Sequence, residues 1–333
     1  MKLLIPQALA PLLEPRLAEI APDLTVVRFD DQGEPDGDIS DATILVRWWT
    51  PMSVLRKTLA AAPGLRWIHT PSAGVEHLLI PEILERDIVL TNSAGAQAIP
   101  IAEFVMMYML NHVKRAFDLR ALAPDEWERG EAIPCDELFE RTLLIIGYGH
   151  IGAEIAKRAR SFGMRVLASR RRPQPTTDVD LIVGEHGWRD LLPQADVVVL
   201  AAPLTPATRG MFDADAFARM KPDAYLINIA RGQIVDTDAL LDALHSGRIA
   251  GAALDALPIE PLPPDHPLWK APNTWITPHI SYVSPRTRER IITIFCENLR
   301  RYLRGEPLLM WWINRRDTDV APFTFQFDRS RRC

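Results

Sequence analysis

The stretch that decides the fold is TLLIIGYGHIGAEIAKRARSF, residues 142–162. An apolar run leads into Gly147, Gly149 and Gly152, spaced G-x-G-x-x-G, and an amphipathic repeat follows. A continuous apolar run bounded by glycine reads as a buried strand, and the repeat after it as a helix. Each glycine has its own duty. Gly147 permits the tight turn, Gly149 lets a pyrophosphate come close to the backbone, and Gly152 lets the helix lie against the sheet. The free N–H groups that open the helix then face the phosphates. A lone G-x-G-x-x-G is weak, but a strand before it and a helix after it make it a dinucleotide fingerprint.

Working outward, TLLIIG, MRVLAS, ADVVVLAAP, AYLINIA, IAGAALDA and TWITP read as successive buried parallel strands, with helices such as TDALLDALHSG between them. Upstream, KLLIP, LTVVRF, ATILVRWW, LRWIHT and DIVLTN give a second, less regular alternation. The pattern predicts an α/β fold of two doubly wound parallel-sheet domains. Helices expected over about residues 100–120 and 284–304 are candidates for the connections. The first domain is then discontinuous, residues 1–103 and 287–333, around a dinucleotide-binding domain at 104–286. The tail after Leu308 matches no motif; packing on the first domain, covering a partner subunit and a loose end all stay open for it.

Bulk properties narrow the function. The chain has 333 residues, enough for two ordinary domains, and is 47% apolar and 24% charged, as soluble globular proteins are. A net charge of −5 gives no general attraction to nucleic acid or anionic membrane, so neither is an expected partner. Cys135, Cys296 and Cys333 are odd in number and far apart, without metal-ligand spacing or a disulfide framework. No metal is expected, and a reducing cytoplasm fits best. Pro6 and Pro11 break the first apolar run too early for a signal peptide or a membrane span, so it reads as a strand.

Three further segments belong together: MKPDAYLINIARGQIVDTDAL, GAALDALPIEPLPPDHPLW and NTWITPHIS. With GYGHIG and AAPLTPATRG they resemble the D-isomer-specific 2-hydroxyacid dehydrogenases, over almost the whole chain to about residue 308. The resemblance implies a Rossmann domain plus a flavodoxin-like substrate domain with a cleft between, and a homodimer. It places the family's catalytic arginine on Arg231, its glutamate on Glu260 and its histidine on His279. The chemistry supports those types. A guanidinium can grip the carboxylate and the carbonyl of a 2-oxo acid together. Hydride transfer leaves a developing alkoxide that needs a proton, which histidine supplies near neutral pH. A carboxylate beside the imidazole favours the imidazolium and fixes the tautomer.

The same resemblance assigns the rest of the site. TPSAGVEHLL is similar to the substrate loop, with the N–H groups of Ala73 and Gly74 on the substrate carboxylate. Asp255 matches the aspartate that bonds the nicotinamide carboxamide, and His150, Ile151, Pro203 and Ile229 fall beside the cofactor. His150 stands where arginine is common, which leaves the pyrophosphate mainly to backbone donors. Tyr282 lies in HISYVS, where HIGG-like sequence is usual, and crowds or lines the pocket. VRWWTPM sits at a pocket-lining loop, where Trp49 is the expected substrate contact, although alternation sends only one of Trp48 and Trp49 toward any one face.

Within the family, Glu260 argues against formate dehydrogenases, which pair histidine with glutamine, and the substrate loop lacks the lysine of phosphite dehydrogenases. The length leaves no room for the regulatory domain common in phosphoglycerate dehydrogenases. A reductase of small 2-oxo acids, of the glyoxylate, hydroxypyruvate or phenylpyruvate class, remains. The alternative is a dinucleotide-gated interaction protein similar to the C-terminal-binding-protein corepressors, but no extended polar tail is present. The cofactor is read from VLASRRRPQP, residues 166–175. Family members that use NAD end this strand in an acid that holds the ribose. Here Ser169, Arg170 and Arg171 offer a hydroxyl and two guanidinium groups instead, so NADP(H) is the expected cofactor and NAD(H) the second.

Overall fold

The computed structural model describes residues 1–86, 88–309 and 311–312. The described chain divides into two compact units, residues 98–283 and residues 1–97 with the described residues from 284 onward. These junctions fall at 97/98 and 283/284, a few residues from the boundaries drawn from sequence.

The strands are β1 (Lys2–Pro6), β2 (Thr25–Phe29), β3 (Ile44–Val46), β4 (Trp67–His69), β5 (Val89–Thr91), β6 (Thr142–Ile146), β7 (Arg165–Ser169), β8 (Leu181–Val183), β9 (Val197–Leu200), β10 (Tyr225–Asn228), β11 (Gly251–Leu254), β12 (Thr274–Ile276) and β13 (Trp311–Trp312). In the larger unit the order is β12-β11-β10-β9-β6-β7-β8, with every pair parallel. This is the Rossmann order with one strand added. Both faces are covered, which explains the uninterrupted apolar strands. Leu144 and Ile146 enter one core with Phe212, Phe217 and Leu240. Leu143 and Ile145 enter the other with Val105, Met109 and Ile155. Burying one such side chain contributes about 1.5–3 kcal/mol. β8 was not anticipated from sequence; its three residues are only partly covered.

In the other unit the order is β13-β5-β4-β3-β1-β2, parallel except for β13, which pairs antiparallel with β5. Without β13 this is the flavodoxin-like order. Leu3, Ile5, Ile44 and Trp67 pack on Phe295 and Leu299 of the helix Pro285–Leu303, whose first turn Ser284 caps through Arg286 N–H. Leu4, Leu45, Ile68 and Leu90 fill the opposite face. Of the tail, Trp311 and Trp312 form β13, and residues 313–333 lie outside the described residues.

One helix differs from expectation. It runs Ala98–Lys114 and stops, because Arg115 takes a left-handed φ of 53°, and a separate short helix follows at Ala116–Arg120. No helix among the described residues is long and apolar enough to cross a membrane.

Candidate active site

The strand order reverses between β6 and β9, and the glycine-rich turn leaves β6 at that point. Ligands of open α/β sheets bind at such a switch point. The three glycines are required for different reasons. Gly147 has φ +103°, and a Cβ there would lie 2.4 Å from Ala202 N. A Cβ on Gly152 would lie 2.9 Å from the Gly147 carbonyl oxygen. A Cβ on Gly149 would meet nothing within 4 Å, so the protein itself does not require that glycine. Bare backbone facing open space at the start of the helix His150–Ser161 suits a pyrophosphate. Burial pushes the His150 imidazole below its ordinary range, which favours the neutral ring. Ile151 is half-buried and packs into the core below.

At the end of β7 the Ser169 carbonyl accepts from the N–H groups of Gly147 and Tyr148, at 3.1 and 2.8 Å. Ser169 is buried, Arg170 half-buried and Arg171 exposed. Neither arginine has a carboxylate within ion-pair distance among the described residues. The ends of β9 and β10 bring Pro203, exposed, and Ile229, buried, to the same carboxyl edge of the sheet.

The turn after β10 carries Arg231. Buried Asn228 closes it, accepting from Ala230 N–H at 3.0 Å and donating to the Arg231 carbonyl at 3.1 Å. Arg231 Nη1 donates to the Ala230 carbonyl at 2.7 Å. A Cβ on Gly232 would fall 2.0 Å from the Leu257 carbonyl carbon and 2.2 Å from Pro258 N. Only glycine lets this turn lie on the Leu257–Pro258 backbone, and Gln233 Nε2 fastens it to the Pro258 carbonyl at 3.0 Å.

Glu260 hangs from that second turn. Its Oε1 accepts from Leu257 N–H at 2.9 Å, and its Oε2 lies 2.9 Å from His279 Nδ1. One oxygen fixes the carboxylate and the other meets the imidazole. Both side chains stay over a third exposed, so the pair is open to solvent and to a reactant. His279 has a left-handed φ of 53°, which needs support from its surroundings. Buried Asp255 supplies it. Its carboxylate accepts from Thr277 Oγ1 at 2.6 Å and from the N–H groups of Ile280 and Ser281 at 3.0 and 3.1 Å. Thr277 spends its proton on Asp255, so Tyr108 Oη donates to Thr277 Oγ1 at 2.6 Å. The Tyr282 ring stands edge-on to the imidazole, with centroids 6.3 Å apart.

Arg231, Glu260 and His279 therefore belong to one unit, as do the fingerprint and Asp255. Trp49, Ala73 and Gly74 belong to the other. There Ala73 and Gly74 sit in the turn after β4, and no described residue accepts from their N–H groups. Trp48 packs on Ile291 and Ile294, while Trp49 is 48% exposed. Sequence reading missed Asn228, Gly232 and Thr277. The small residue after Arg231 and the asparagine three before it were the available signals.

The fold and the site define a dinucleotide-dependent oxidoreductase, an enzyme that moves hydride to or from a bound nicotinamide. The model of the D-isomer specific 2-hydroxyacid dehydrogenase NAD-binding domain matches residues 106–281. The glyoxylate reductase of Thermofilum pendens is 36% identical over 260 residues, 75% of this chain and 75% of that one. A D-isomer specific 2-hydroxyacid dehydrogenase family protein from Aeromonas salmonicida superposes with a TM-score of 0.81 at 33% identity, covering 94% of this chain and 99% of that chain. A D-isomer specific 2-hydroxyacid dehydrogenase from Xanthobacter autotrophicus, in complex with NADPH and MES, superposes at 0.80 with 28% identity, over 95% and 98% of the two chains. The chain belongs to the D-isomer specific 2-hydroxyacid dehydrogenase family and is an NAD(P)-dependent oxidoreductase.

Proposed function

We propose that the protein reduces small 2-oxo acids of the glyoxylate, hydroxypyruvate or phenylpyruvate class to D-2-hydroxy acids, with NADPH preferred over NADH. The observation that carries this reading is the 2.9 Å pairing of His279 Nδ1 with Glu260 Oε2. It holds one ring nitrogen on a carboxylate and leaves Nε2 to hand a proton to a substrate oxygen. When bound, the nicotinamide supplies the hydride. Arg231 grips the substrate carboxylate and carbonyl, and His279 protonates the alkoxide that develops at the carbonyl oxygen. The N–H groups of Ala73 and Gly74 receive the carboxylate, and Trp49 borders the substrate's tail.

Arg170 and Arg171, without acidic partners among the described residues, support the NADPH preference. A hydrogen bond to a charged group is worth about 1.5–3 kcal/mol, so a single one gives a preference of roughly tenfold to somewhat over a hundredfold. The similarity to a glyoxylate reductase and to a relative bound to NADPH supports the same reading. We also infer a homodimer. Met107 and Phe162 are exposed beside Leu110, and such apolar surface marks an interaction face.

The test is nicotinamide absorbance with NADPH or NADH and a panel of 2-oxo acids. Turnover with a clearly higher kcat/KM for NADPH is expected. Inactivity across the panel sinks the reductase, and a preference for NADH sinks the cofactor reading.

A further inference from the structure

The turn after β4 is held by its carbonyls. Ser93 Oγ donates to the Thr70 carbonyl at 2.9 Å, and Ser93 N–H donates to the Ser72 carbonyl at 3.1 Å. Asn92 Nδ2 donates to the Ala73 carbonyl and Ser72 Oγ to the Gly74 carbonyl, both at 2.7 Å. Gln97 Nε2 reaches the Pro71 carbonyl at 3.4 Å. Every carbonyl from residue 70 to residue 74 is thus tied down. Among the described residues nothing accepts from the N–H groups of Ser72, Ala73, Gly74 or Val75. The segment is racked on its acceptor side, and its donor side is left for a ligand.

Behind Ser93 lies a chain of hydrogen bonds with one consistent direction. Trp67, His69, Thr70, Thr91 and Ser93 are all fully buried. Trp67 Nε1 can only donate, and does so to Thr91 Oγ1 at 2.8 Å. Ser93 spends its hydroxyl proton on the Thr70 carbonyl, so at 3.1 Å it accepts from His69 Nε2. His69 Nδ1 is then the acceptor, and Thr91 Oγ1 donates to it at 2.8 Å. Every proton finds one acceptor in this arrangement, and the reverse tautomer would strand the Thr70 carbonyl. Burial pushes His69 down to about 3, which keeps the ring neutral as the chain requires.

We propose that His69 is a positioning residue for substrate binding: through Ser93 it sets the turn at residues 70–75 so that its N–H groups converge on the substrate carboxylate. The proposal rests on the reading of that turn as the carboxylate site. His69 touches neither substrate nor cofactor. It acts on KM for the oxo acid rather than on the hydride step.

The test compares His69→Phe, which fills the space without hydrogen bonds, with His69→Gln, whose amide nitrogen can still donate to Ser93. In His69→Phe, KM for the oxo acid should rise about tenfold, as losing a buried hydrogen bond would require, with KM for NADPH and kcat nearly unchanged. His69→Gln should stay close to wild type. Deuterium exchange over residues 70–76 should quicken in His69→Phe only, with residues 225–228 unaffected as a control. If His69→Phe does not fold, Ser93→Ala removes the same link and should reproduce its effect. Equal KM and equal loop exchange in wild type and His69→Phe overturn the proposal, as does an equal loss in His69→Gln. Oxalate added to wild type separates the two ideas. Without protection of the 72–75 amides, the carboxylate site is what fails, and the exchange comparison still decides on His69.

Discussion

Asp255 and Thr277 are joined by a 2.6 Å hydrogen bond between two buried side chains, and the same carboxylate holds the next turn through Ile280 and Ser281. An amide cannot do this, because it accepts on one arm only. Asp255→Asn turns a buried donor against a donor, which costs about 1–3 kcal/mol and loosens the turn that carries His279. We expect kcat to fall roughly tenfold to a hundredfold, with KM for the cofactor changed little. A rise confined to the cofactor KM would instead assign Asp255 to the carboxamide.

Gly232→Ala places a methyl group inside the Leu257 carbonyl. The Arg231 turn must then lift from the turn that carries Glu260. Overpacking of this kind costs about 1–3 kcal/mol, and the displacement of Arg231 should lower kcat/KM about a hundredfold or more. Steady-state kinetics and a thermal melt on one preparation check both effects. Near-normal kinetics would show that the contact between the turns is unimportant.

Glu260→Gln keeps the side chain's shape and its bond from Leu257 N–H but removes the charge beside His279. With its oxygen kept on Leu257 N–H, the amide turns a nitrogen donor toward His279 Nδ1, so the ring loses the acceptor that holds it in place. Reductive kcat should therefore drop about tenfold or more, with KM for the cofactor changed little. An unchanged kcat would remove Glu260 from the proton transfer.

Arg170→Asp restores an acid at the end of β7. It should repel a 2′-phosphate and accept from ribose hydroxyls, so the ratio of kcat/KM for NADPH to that for NADH should fall at least about tenfold. The measurement uses one saturating oxo acid for both cofactors. An unchanged ratio would clear Arg170 of any part in reading the phosphate.

Burial pushes His69 down to about 3 and His112 down to about 4, from an ordinary value of 6.5. The unfolded chain takes up protons at both positions as pH falls through about 6.5, while the folded chain does not. Their contribution to stability is complete above that pH and drains away as pH falls toward 4. His112→Phe keeps an aromatic ring over Tyr225 but cannot titrate. Its urea midpoint should decline less than that of wild type between pH 7 and about 5.

The glycine fingerprint was legible because each requirement is local: a tight turn, an exposed backbone and a close helix are all set within six residues of Gly147. Arg231, Glu260 and His279 were legible through the order of their motifs. Other features depend on partners distant in sequence. Asp255 braces a turn twenty-two residues further on, which it reaches only because β11 and β12 pair in parallel. The break at Arg115 carries no glycine or proline, so helical periodicity ran straight across it. Alternation could not choose between Trp48 and Trp49 because β3 ends at Val46, before either tryptophan. Strand order in both sheets is likewise a tertiary property, fixed by which crossovers pack well.

Arg231, Glu260 and His279 all come from the unit at residues 98–283, whereas Trp49, Ala73 and Gly74 come from segments outside it. On the proposed reading, the proton donor, the carboxylate beside it and the cofactor turn are therefore encoded in one uninterrupted run of chain. A chimera that keeps this run and takes its flanking segments from another family member should retain the His279–Glu260 pair and the glycine turn while exchanging the groups proposed to receive the acid. Changes in the flanks are then expected to alter which acid is accepted more than how the hydride is delivered.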